Sequence, residues 1–120
     1  MEDFVTYEQA EKLCDLGFDY KCMCCYDEGD FEIVPAYSNY NSTDYRYNLI
    51  SAPTLAQVQK WFFEEKKIYI EIYAADYLNS FGYELKFDWA DNHRYCCQGY
   101  KTPREALSAG IDDALKYLEK

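Results

Sequence analysis

Apolar residues recur along this chain with two different periods, and the switches between them mark out its elements. Ala10, Leu13, Cys14 and Gly17 fall on one helical face, and Leu55, Val58, Trp61 and Phe62 on another. Near the C-terminus Leu107, Ile111, Ala114, Leu115 and Leu118 repeat at the same spacing, with Asp112, Lys116 and Glu119 outside the stripe. A repeat of three and four residues lets a helix bury one face. Between the second and third stripes the period drops to two. Ile68, Ile70 and Ile72 alternate with Tyr69, Glu71 and Tyr73, and Tyr83, Leu85, Phe87 and Trp89 with Glu84, Lys86 and Asp88. Tyr95 and Cys97 alternate in turn with Arg94, Cys96 and Gln98. Strands of this kind bury one face and wet the other, as in an antiparallel meander.

Each helical stripe follows the same start signal. Thr6 stands three residues before Gln9, Thr54 before Gln57, and Thr102 before Glu105. In each case the hydroxyl can accept from an orphan backbone N–H while the later side chain reaches back. Pro103 supports the third start, since a proline at the first helical position loses no needed donor. Gly17 is placed to end the first helix in the left-handed conformation. Residues 21–26 and 31–37 flank Asp27-Glu28-Gly29-Asp30 and read as a hairpin. Asn79-Ser80-Phe81-Gly82 and Asp91-Asn92 read as turns.

The predicted fold is α+β: helix, β-hairpin, helix, three-stranded antiparallel meander, helix, with the helices packed on one sheet face. Neither a repeat nor an interdomain linker interrupts the 120 residues, which predicts a single domain over 1–120. The one long irregular stretch is Ser38–Ser51, which carries Tyr40, Tyr45, Tyr47, Asp44 and Arg46. A loop of that length in a small domain is frequently functional.

Composition changes the picture in two ways. Aromatic residues reach 19%, with 14 tyrosines, so many rings must lie half-buried or at an interface. The net charge is −10, and residues 1–32 alone carry ten acids against Lys12 and Lys21. A phosphate backbone is repelled by that field, which excludes direct nucleic-acid binding, whereas a basic protein surface is attracted. The order helix, three strands, helix of the second half matches double-stranded-RNA-binding domains, but the charge confines that likeness to the fold. Met1-Glu2-Asp3-Phe4-Val5 offers no basic or apolar leader, and no apolar run approaches a membrane span. The expectation is a cytoplasmic protein of a bacterial cell, with no membrane partner and six reduced cysteines.

Candidate chemistry is sparse. Cys22 and Cys25, with His93 and Cys96, could in principle make a four-ligand zinc site. Strand parity opposes it, because two residues three apart on a strand point to opposite faces. The expectation is no metal, no cofactor and thiols that pack as small apolar groups. His93 is the only histidine, and it sits in a polar turn without a nucleophile assigned to it. No phosphate loop, HExxH or dinucleotide fingerprint occurs. Catalysis is not expected.

Phe4-Val5-Thr6-Tyr7-Glu8-Gln9-Ala10, then Leu13 and Gly17-Phe18, resembles the opening of a family of small proteins of Bacteroidales genomes and their phages. Ala52-Pro53-Thr54 leading into Trp61-Phe62, then Gly82-Tyr83 and the closing 102–120 helix, is similar to the same family. The resemblance implies a phage or mobile-element accessory gene, and it transfers no activity and no site residue. The function expected from all this is binding: inhibition or modulation of a host protein with a basic surface, with the acidic face imitating nucleic acid. Asp27, Glu28 and Asp30 would steer the partner, and Tyr40, Tyr45 and Tyr47 would anchor it. The alternative is a sponge for a small nucleotide, with rings stacking on the base and Arg46 or Arg94 meeting phosphate. A homo-oligomer is compatible with either.

Overall fold

The computed structural model describes residues 3–42, 49–75, 79–87 and 93–118, with strand positions 34–36 and 93–97 described by their backbone. The elements run α1 (Tyr7–Asp15), β1 (Cys22–Asp27), β2 (Asp30–Ser38), β3 (Leu49–Ser51), α2 (Leu55–Trp61), a π-turn (Phe62–Lys66), β4 (Ile68–Ala75), β5 (Ser80–Phe87), β6 (His93–Tyr100) and α3 (Pro103–Leu118). This is an α+β chain in the predicted order. Its internal contacts gather into two compact units, Met1–Gln57 and Val58–Lys120.

In the first unit the capping box forms as the sequence predicts. Gln9 N donates to Thr6 Oγ1 at 3.1 Å, and Thr6 N donates to Gln9 Oε1 at 2.9 Å. Gly17, at φ 91°, closes α1: its N–H bonds the Cys14 carbonyl, and Phe18 N–H bonds that of Leu13 at 3.0 Å. Only glycine adopts that conformation without a Cβ penalty. The sheet has the order β2-β1-β3, both pairings antiparallel. The third strand falls within the stretch that patterning leaves irregular. Three residues are too few to show a period of two, and β3 is held by its pairing to β1 rather than by propensity. Both ends of that stretch are tied down. Tyr40 N donates to Ser51 Oγ at 2.9 Å, Ser51 N to Asn41 Oδ1 at 2.9 Å, and Asn41 Nδ2 to the Phe18 carbonyl at 2.9 Å. Val5, Ala10, Leu13, Phe18, Cys22, Cys24 and Cys25 form the core of this unit.

The second unit is a meander, β4-β5-β6, with α3 against it. Ile68, Ile70, Tyr83, Leu85 and Phe87 turn inward from the first two strands, and Trp61, Phe62, Ala106, Ile111, Ala114 and Leu115 complete the core. Two predicted details are displaced. Ser80, Phe81 and Gly82 are strand rather than turn, because they pair with Ala75, Ala74 and Tyr73. The buried stripe of α3 runs Ala106, Gly110, Ile111, Ala114, Leu115, while Leu107 and Leu118 are half-exposed. The small residues lie underneath because helix and sheet approach closely. A Cβ at Gly110 would stand 2.8 Å from Ile70 Cγ2 and 3.1 Å from the Tyr83 ring.

Candidate functional site

The acids singled out in the sequence stand at the tip of the β1–β2 hairpin. Asp27 and Asp30 are register partners, so only Glu28 and Gly29 make the turn. Both have positive φ, 54° and 91°, which is the type I′ geometry that matches strand twist. Asparagine suits the first of those positions, and glutamate does not. The left-handed conformation costs an ordinary residue about 1–2 kcal/mol. Two like charges directly across a hairpin weaken it further. Glu28, Asp30 and Glu32 are exposed. The tip therefore carries charge that works against its own folding.

Aromatic packing immediately behind the tip compensates. Phe31 lies edge-on to Phe4 at 5.2 Å between centroids and to Tyr26 at 5.5 Å, and Tyr26 meets Tyr7 at 5.4 Å. Such edge-to-face pairs contribute about 0.5–1.5 kcal/mol each beyond their buried area. The Tyr26 hydroxyl donates to the Val5 carbonyl at 2.7 Å. Burial raises the pKa of that phenol, and the charge of Glu8 raises it further, so it remains a donor at neutral pH. The tip is thus mounted on a fixed base.

β2 forms one edge of its sheet, with β1 as its neighbour. Large apolar side chains stand out from it: Ile33 is 74% exposed and Tyr37 60%, and Met23 on β1 is 59% exposed. Proteins ordinarily keep such side chains off an open edge, where they invite association. Patterning alone misses these three residues, because it assigns strands but not their order. One signal was present: Pro35 inside the run favours an edge strand.

The tyrosine anchors fare differently. Tyr40 is only 4% exposed and belongs to the core of the first unit, so its ring offers a partner almost no area. Tyr45, Tyr47 and Arg46 lie outside the described residues. Arg94 lies in the backbone of β6, its side chain outside the description. No comparison supplies a function. The chain matches no family model, no curated protein and no solved structure.

Cys14, Cys22, Cys24 and Cys25 are free thiols, the last three buried. Along β1, Cys22 and Cys24 share a face while Cys25 takes the other, and both faces are covered there. Burial pushes the Cys22 thiol up to about 12, against a smaller opposing effect of a hydrogen bond with Ser51. A thiol held neutral is neither nucleophile nor ready metal ligand. Among the described residues no three His, Cys, Asp or Glu side chains gather as a metal site.

Proposed function

We propose that the chain is a non-catalytic binding protein, an accessory product of a phage or mobile element that docks its β1–β2 hairpin on a basic surface of a host protein. The observation that carries this reading is the conflict at the hairpin tip. Glu28 occupies a left-handed turn position, and Asp27 faces Asp30, at a standing cost to stability. Along the same hairpin, Ile33 and, at its open end, Tyr37 hold apolar area in water on an edge strand. Charge brings a basic partner in quickly, and desolvated apolar contacts keep it there. Location in a bacterial cytoplasm and modulation of a host protein belong to the same proposal.

The test separates the two contributions. Proteins captured from host lysate by the wild-type chain are assayed kinetically against two variants. Reversing Asp27, Glu28 and Asp30 to lysine should slow association about tenfold or more with little change in dissociation. Replacing Ile33 and Tyr37 by serine should instead speed dissociation about tenfold. A captured partner that binds both variants like the wild type would place the interface elsewhere and end this reading.

A further inference from the structure

In the second unit the end of the meander next to the π-turn forms a cleft of about 420 Å³ lined by Phe63, Lys67, Tyr69, Lys86 and Phe87. We propose that this cleft binds a small aromatic anion of the nucleoside-monophosphate class, ring against Phe63 and Tyr69 and phosphate against Lys67 and Lys86. The proposal is independent of the hairpin.

Its size comes first. A few hundred cubic ångströms is the usual range for a small-molecule site. The walls come next. Phe63 is 57% exposed and Tyr69 43%, and the two rings stand edge-to-face at 5.9 Å between centroids. Phe87, 8% exposed, lies at the inner side and packs on Tyr117 at 4.7 Å. Two aromatic side chains left largely in water, beside a third that is fixed, present faces on which a flat ring can stack.

Charge selects the class of ring. The chain carries −10, yet among the described residues that line the cleft the charged ones are both lysines. Lys86 is bridged to Glu71 at 2.6 Å, and that carboxylate raises its pKa, so it stays an ammonium. The bridge spends part of its charge. Lys67 differs: its Nζ donates to the backbone carbonyl of Glu64 at 3.0 Å, a neutral acceptor, which leaves its positive charge uncancelled there. An aromatic cation would be repelled by both ammoniums, and a neutral ring would leave them unused. A ring bearing phosphate satisfies walls and charges together.

The backbone fixes Lys67 at the mouth. It sits in the left-handed conformation, φ 59° and ψ 35°, and its N–H closes the π-turn on the Phe62 carbonyl. A lysine there is strained where glycine would be at ease. The same turn brings Phe63 beside Tyr69.

The test titrates the full-length protein with adenosine monophosphate, adenosine and inorganic phosphate, read by calorimetry and by aromatic NMR shifts of Phe63 and Tyr69. The nucleotide should bind one-to-one and at least about tenfold tighter than adenosine or phosphate alone. Lys67→Gln and Tyr69→Ala should each weaken it about tenfold while the fold survives. Glu71→Gln, which frees the Lys86 ammonium, should tighten it severalfold. Absence of saturable nucleotide binding up to about 10 mM would overturn the proposal. So would equal affinity in wild type and Lys67→Gln, or equal affinity for nucleotide and adenosine.

Discussion

A methyl group decides how α3 lies on its sheet. Alanine is worth about 1 kcal/mol over glycine inside a helix. At position 110 its Cβ would meet Ile70 Cγ2 at 2.8 Å, and a β-branched side chain in a packed strand has little room to yield. Overpacking of that kind costs about 1–3 kcal/mol. Gly110→Ala should therefore lower stability by about 1 kcal/mol in urea unfolding, and a gain would mean that helix and sheet are less close. The Cys22 thiol gives a second residue-level prediction, through pH. Its pKa is raised by burial from 9.0 to about 12. The unfolded thiol ionises near 9 while the folded one stays neutral. Its contribution is complete below pH 9 and is lost as pH climbs toward 12. Cys24 and Tyr26 are shifted the same way by burial, so Cys22→Ala should reduce the fall without abolishing it. Urea midpoints at about pH 8 and about pH 10.5, in wild type and variant, measure the difference.

Among the elements, the hairpin and the end of the π-turn, at Lys67, are where sequence disagrees with geometry. Glu28→Asn should relieve the left-handed turn position, remove one of the clustered charges and stabilise the first unit by about 1 kcal/mol. A thermal melt checks it, and an unchanged midpoint would mean that the turn bears no strain. The remaining elements were legible in their sequence to different degrees, and the reasons differ. Helix starts were legible because a capping box is local: Thr54 and Gln57 exchange bonds at 3.0 and 3.1 Å as their spacing requires. The third box is altered, since Glu105 accepts from Lys101 N rather than from the cap residue itself. β4 and β5 were legible from alternation. β3 was not, because three residues carry no period, and the exposure of Ile33 and Tyr37 was not, because it follows from strand order. Tyr40 looked like a loop ring and is a core ring, since Ser51 fixes its backbone. The cleft beside the π-turn was invisible for the same reason: it needs Phe63, Tyr69 and Lys86 brought together across three elements.

For the whole molecule the governing quantity is a net charge of −10. Self-repulsion of that size opposes compaction, and it also supplies the field that draws in a basic partner. Salt acts on the two in opposite directions. Raising it from about 0.05 M to about 0.5 M shortens the screening length severalfold, which should raise the melting temperature and slow association with a basic partner. Dissociation should change little. A melting temperature that falls with salt would show that attractive pairs such as Lys86–Glu71 outweigh the repulsion.

The π-turn holds one more residue than an α-helical turn would use. Such turns are often found at functional sites. Removing Glu64 or Glu65 from the π-turn would let it close in ordinary helical register and change the phase of Phe63 against Lys67 and Tyr69 by about 100°. Phe63 would then no longer stand edge-on to Tyr69. A single codon would separate a chain with the cleft from one without it.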